Sequence, residues 1–254
     1  MNNLKVILQK LKSMGCSGIK ISFEDEGALL NEATTMRYLT ASIGLELSIK
    51  IGGCEAKRDI IDCIDLGCDS IVAPMIESEF ALRKFSESLE VCKYNKKKGF
   101  NLETINAYKE LDNLKKSFNK VNYVTFGRHD FVNSLEKDKE YVDSPEMYEI
   151  SKNIFQEARK MNILCYIGGS MSINSKDFIT NLIKDNLLDK FETRYIIYDA
   201  HLINIEDFEK LLYWGFLFEL EWLKYISSRY LMQGNKDIKR IKMMEERIAN
   251  KKFE

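Results

Sequence analysis

A single (β/α)8 barrel is the fold this sequence predicts, and three observations predict it. Strand-like apolar runs alternate with helix-like stretches along the first 204 residues. The chain has 254 residues, close to the roughly 250 such a barrel needs. No linker divides it: there are only two prolines, Pro74 and Pro145, and no Gly/Ser-rich stretch. Strands separated by helices of this length imply right-handed crossovers and a parallel sheet.

The elements follow in order. Leu4, Ile7, Leu8 and Leu11 recur at helical spacing and stop before Gly15. Strands are expected at 18–24, 45–51, 70–75, 100–103, 123–127, 163–167 and 195–198. Between them lie helices over Asn31 to Ile43, Glu55 to Leu66, Ser78 to Cys92, Ser144 to Met161 and Ser175 to Asn186. Glycines 44, 52, 53 and 67 punctuate the early units. That is seven strands. A regular barrel needs an eighth, and the natural gap is at the start, before the first helix. Residues 1–204 are thus assigned to the barrel.

Residues 205–254 read as a helical extension, packing on the barrel or on a neighbouring subunit. Phe208, Leu211, Leu212, Phe216, Leu220, Leu223 and Ile226 keep helical spacing, with Trp214 and Trp222 on other faces. A second, polar helix is expected from about Lys236 to Lys251. So apolar a tail favours a homo-oligomer.

Composition narrows the function. Thirty-eight basic residues against 39 acidic leave a net charge of −1, which argues against a basic nucleic-acid surface. No stretch reaches the ~18 apolar residues of a membrane span, and residues 1–14 do not resemble a signal peptide. The six cysteines lack metal-ligand spacing and suit a reducing cytoplasm.

Two carboxylates stand out. Glu103 closes the run Gly99-Phe100-Asn101-Leu102-Glu103, and Asp130 closes a run that begins at Val121. Carboxylates at the C-terminal ends of successive parallel strands sit at the rim where α/β folds keep their chemistry, and two can share one hard divalent ion, Mg²⁺ or Mn²⁺. A helix N-terminal carboxylate or an N-cap would account for either one alone.

Several motifs in order resemble a known family. Residues 65–78, with Ala73-Pro74-Met75-Ile76-Glu77, are similar to the fourth-strand motif of the HpcH/HpaI aldolase and citrate lyase β-subunit family. Asn101-Leu102-Glu103-Thr104 resembles its metal-binding motif, and Phe126-Gly127-Arg128-His129-Asp130-Phe131 its second one. Glu24-Asp25-Glu26-Gly27-Ala28 is similar to the acidic motif after the second strand. The resemblance implies a barrel of the phosphoenolpyruvate/pyruvate superfamily whose missing strand is the family's first. It also implies a divalent metal on Glu103 and Asp130 that holds a 2-oxo acid or acyl thioester as an enolate.

The chain departs from that pattern at two places. Lys50 stands where the family usually has an arginine, and a lysine offers a point charge instead of a planar fork. Arg128 is the alternative cation, since on an extended strand it shares the face of Asp130. The family's second-strand histidine is absent, so Glu26 is the expected general base, with Glu24 second. Gly52, Gly53, Gly168 and Gly169 would let backbone amides approach an anion. His201, after the last strand, is expected at the active rim. The charged pair Glu192 and Arg194 is expected at the barrel's lower end. The reading is therefore a metal-dependent carbon–carbon lyase or aldolase acting on a 2-oxo acid aldol or a citryl- or malyl-type acyl-CoA. The alternatives are a condensing or phosphate-linked enzyme on the same scaffold, or a degenerate barrel serving as a binding or assembly subunit.

Overall fold

The structure, a computed structural model, describes residues 1–24 and 26–249. Asp25 of the acidic motif and the last five residues, including the expected helix end at Lys251, lie outside the described residues.

Eight strands close into a barrel in sequence order. They are β1 (Cys16–Ser22), β2 (Glu46–Lys50), β3 (Ser70–Ala73), β4 (Lys97–Leu102), β5 (Tyr123–Gly127), β6 (Leu164–Gly168), β7 (Lys190–Glu192) and β8 (Ile196–Asp199). Neighbours from β1 to β7 are parallel. The eighth strand is reversed, antiparallel to both β7 and β1.

This revises the expected strand list. Among the described residues none forms a strand before the first helix. The unplaced strand is the three-residue β7, and the run at 195–198 is the reversed strand that fills the gap between β7 and β1. The reversal follows from chain length. Only Thr193, Arg194 and Tyr195 join β7 to β8, whereas a parallel return needs a dozen or more residues. The turn is pinned by Thr193 N–H to the Ile196 carbonyl (3.0 Å) and Ile196 N–H to Thr193 Oγ1 (3.2 Å). The turn therefore lies at the C-terminal, or upper, end of the parallel strands, and β8 ends at the lower one.

Helices clothe the barrel: α1 (Asn2–Ser13), α2 (Leu30–Ile43), α3 (Lys57–Asp65), α4 (Glu79–Val91), α5 (Ile105–Lys109), α6 (Leu111–Leu114), α7 (Arg128–Ser134), α8 (Pro145–Lys160), α9 (Lys176–Lys184) and α10 (Phe208–Ala249). Caps mark their starts: the Ser144 hydroxyl accepts the Met147 N–H, with Pro145 at the first helical position. The main core lies between helices and strands, where Leu8, Leu11, Ile19, Leu47, Ile71, Phe85 and Phe155 are buried.

The lumen is polar by comparison. Its own apolar cluster is Val72, Tyr123 and Tyr166, with the two tyrosines stacked at 4.2 Å. Gly99 makes room for them, since a Cβ there would fall 2.1 Å from the Tyr123 ring. Tyr123 Oη lies 2.6 Å from Ser70 Oγ. Below, Glu46 meets Lys97 and Lys190; above, Lys20 pairs with the buried Glu192.

Instead of two helices, the tail forms one, 42 residues long, or roughly 63 Å at 1.5 Å per residue. Its buried face carries Phe208, Leu211, Leu212, Phe218 and Trp222, while Phe216, Leu220 and Leu223 are 44–49% exposed. Trp222 thus belongs to the core face. The last hydrogen bond tying this helix to the barrel among the described residues joins Tyr230 to Glu32 on α2.

Candidate active site

A cavity of about 310 Å³ opens at the upper end of the barrel. Glu103, one residue beyond β4, is 3% exposed. Its Oε1 accepts the Met75 N–H (2.9 Å) and its Oε2 the Asn101 amide (3.0 Å). Gly127 cradles it: a Cβ there would lie 2.6 Å from Glu103 Oε2. Burial pushes the Glu103 carboxyl above its ordinary range; Lys50 opposes this and Asp130 adds to it. The carboxylate stands in a place that favours a nearby cation.

Asp130 lines the same cavity, but from the first turn of α7 and not from a strand. The helix begins at Arg128, and this overturns the role expected for that arginine. Arg128 is fully buried and turned away. Its guanidinium donates to the carbonyl oxygens of Gly168 (3.4 Å) and Gly169 (3.2 Å), to Ser175 Oγ (3.3 Å) and to Asp143. The same helical start brings His129 into the cavity lining. His129 Nε2 lies 3.2 Å from Asn133 Nδ2 and its Nδ1 2.9 Å from Ser170 Oγ.

Lys50 and Glu26 both line the cavity. Lys50 Nζ lies 3.4 Å from Glu24 Oε2, so Glu24 meets the cavity only through that lysine. Glu26 accepts the Ser22 N–H (3.1 Å) and stands 3.3 Å from Arg194 Nε. Gly169 lines the cavity in left-handed geometry, φ +85°. A Cβ there would fall 2.4 Å from the His129 nitrogen, so packing against α7 requires that glycine.

Gly168 lines the cavity beside Gly169, whereas Gly52, Gly53 and His201 are elsewhere. Gly52 donates its N–H to Asp59 (2.7 Å), and neither Gly52 nor Gly53 lines the cavity. His201 is at the opposite end, 3.8 Å from Asp189, because β8 runs downward.

Sequence reasoning missed a whole wall. Lys20, Glu192, Arg194, Phe216 and Glu219 all line the cavity. Glu192 and Arg194 are at the upper end, not the lower, since the hairpin turns there. Burial alone would lower the Lys20 ammonium, but Glu192, with Glu26 and Glu103 adding, carries it above its ordinary value. Alternating Lys20 and Ser22 on a strand that faces a lumen was the one available signal. Around the cavity stand the carboxylates of Glu26, Glu103, Asp130, Glu192 and Glu219 against the cations Lys20, Lys50 and Arg194. Among the described residues no three His, Cys, Asp or Glu side chains gather as a metal cluster. A hard cation would rest on two carboxylates with its other positions open.

The structure gives a barrel with Glu103 and Asp130 lining one cavity at its upper end, and comparison narrows it. The family described as HpcH/HpaI aldolase/citrate lyase matches residues 29–180. The chain belongs to that family. No curated protein matches it by sequence. Among solved structures, an HpcH/HpaI aldolase from Desulfitobacterium hafniense DCB-2 superposes with TM-score 0.61 at 12% identity, covering 76% of this chain and 82% of that one. An HpcH/HpaI aldolase/citrate lyase family protein from Burkholderia cenocepacia J2315 gives 0.60 at 11%, covering 74% and 82%. Citrate synthase SbnG gives 0.61 at 10%, covering 85% and 89%. At such identities these likenesses are of fold. The family match takes in Lys50, Asn101, Glu103, Asp130 and Gly169. It leaves out β1, β7, the β7–β8 turn and α10, which build the other wall.

Proposed function

We propose that this chain is a divalent-metal-dependent carbon–carbon lyase or aldolase acting on a small 2-oxo acid aldol or an acyl-CoA of citryl or malyl type. The observation that carries the reading is the shared cavity of Glu103 and Asp130, with Gly127 kept free of a side chain beside Glu103. The excess of two carboxylates in the lining equals the charge of one divalent cation, which also fits these oxygen donors. Bound there, Mg²⁺ or Mn²⁺ would stabilise the negative charge that develops on an enolate oxygen.

The protein's own groups do the rest. Asn101 fixes the orientation of Glu103 through its amide. Lys50 offers an ammonium to a substrate oxyanion, exchanging its contact with Glu24 for the ligand. Glu26 Oε1 takes the proton of the substrate hydroxyl as the carbon–carbon bond breaks, and Arg194 beside it steadies the carboxylate. The exposed apolar residues of α10 beyond Tyr230, among them Leu231, Ile238, Ile241 and Ile248, support a homo-oligomer. The buried or half-buried thiols, unpaired as cysteines, support a cytoplasmic setting.

Titration calorimetry with Mg²⁺ and Mn²⁺ tests the reading. The wild type should bind metal, more tightly with pyruvate present. Asp130→Ala should weaken metal binding by about tenfold or more, as loss of a charged ligand does. Absence of metal binding at millimolar concentration would sink the lyase reading.

A further inference from the structure

Beside the active-site cavity lies a second one of about 220 Å³. The two share Glu26, Arg194 and Glu219, so Arg194, on the β7–β8 turn, and Glu26, after β1, stand where the two cavities adjoin. The far wall is apolar: Ile21, Trp222, Leu223 and Ile226, with Tyr195 beside them. At this cavity three carboxylates, Glu26, Glu32 and Glu219, face one guanidinium. That guanidinium is already held by Glu26. Glu32 is occupied by the Leu29 N–H and the Tyr230 hydroxyl. The Glu219 carboxylate has no ion-pair partner among the described residues.

We propose that this second cavity receives the part of the substrate remote from the reacting carbon, and that it selects an apolar chain ending in a neutral or cationic group. The volume admits an alkyl chain of about six heavy atoms at ~30 Å³ each. Apolar walls with a few placed polar groups are what a small-molecule subsite needs. The net negative lining repels an anionic end. A nucleotide-bearing thioester, with several phosphates, would be repelled by these carboxylates. Of the two substrate classes above, the free 2-oxo acid aldol is the one that fits. The word substrate rests on the lyase reading; the preference of the cavity does not.

The test uses Trp222, which lines this cavity, as reporter. Hexylamine, hexanol and hexanoate are titrated into the metal-free protein while tryptophan emission is followed. Wild type is compared with Trp214→Phe, which removes the other tryptophan. Hexylamine and hexanol should give saturable changes, hexanoate should bind about tenfold more weakly, and Glu219→Lys should reverse the order of amine and acid. No saturable change with amine or alcohol, or hexanoate binding as tightly as hexylamine, overturns the proposal. The metal and pyruvate titration reports on Glu103 and Asp130 separately. Its failure alongside intact hexylamine binding would reject the lyase chemistry and leave the selectivity of the cavity standing.

Discussion

Arg128 and Asp130 differ by two positions and face opposite environments, because one residue decides where a strand stops. At Gly127 the backbone leaves β5, and α7 starts at once. A step of two residues along a helix turns about 200°, so Arg128 goes inward while Asp130 meets the cavity. The buried guanidinium ties Asp143 to the carbonyls of Gly168 and Gly169, which border the cavity on its β6 side. Arg128→Met should therefore leave the Asp143 carboxylate without its cation. Urea unfolding should show a loss of about 3 kcal/mol, the scale for breaking a mostly buried pair. Arg128→Met with Asp143→Leu should recover much of that loss, since two apolar groups leave no orphaned charge. At this scale the sequence told which residues carry charge, while the glycines that crowd a neighbour, Gly99, Gly127 and Gly215, emerge only from the structure. Nor did the sequence tell which way a side chain turns at a strand-to-helix junction, where the periodicity changes from 2 to 3.6 within one residue.

Strands β7 and β8 are the elements that set this barrel apart. Three residues in β7 are too few to show alternation, and two of them, Lys190 and Glu192, are charged. Both find partners inside the lumen, Lys190 with Glu46 and Glu192 with Lys20. Such pairing allows charge in a barrel interior, and it also hides the strand from a reading based on hydrophobicity. The seven strands with apolar runs were legible for the opposite reason. Reversal of β8 moves Arg194 up to the cavity and His201 down away from it, so one topological feature relocates two expected residues. The element depends on α10, where Gly215 sits against Tyr198. A Cβ at 215 would lie 2.8 Å from Tyr198 Oη, which donates to the Leu211 carbonyl (2.7 Å). Gly215→Ala should thus force helix and strand apart. The expected cost is about 2 kcal/mol of overpacking, read as a fall of roughly 4–8 °C in Tm by calorimetry.

Across the whole molecule the family match ends where the architecture changes. Residues 29–180 carry the carboxylates and Lys50. β1, β7, the β7–β8 turn and α10 supply the second wall, and α10 then continues past the barrel. The same face of α10 that presents Phe216 to the active cavity carries Leu220, Leu223, Leu231, Ile238, Ile241 and Ile248 at helical spacing, each at least 44% exposed. A 42-residue helix with about half its length beyond its last hydrogen bond to the barrel gains little from propensity alone. An apolar stripe of this length is stabilised when covered, and a second copy presenting the same stripe is a self-complementary cover. A chain ending at Tyr230 retains the buried anchors Phe208, Leu211, Leu212, Phe218 and Trp222. Its barrel should therefore melt within a few degrees of the full-length protein, a change of about 1 kcal/mol at most. In sedimentation velocity the full chain should run as an oligomer and the shortened chain as a monomer. A monomeric full-length protein would show that α10 serves its own barrel alone, as the outer wall of the two cavities.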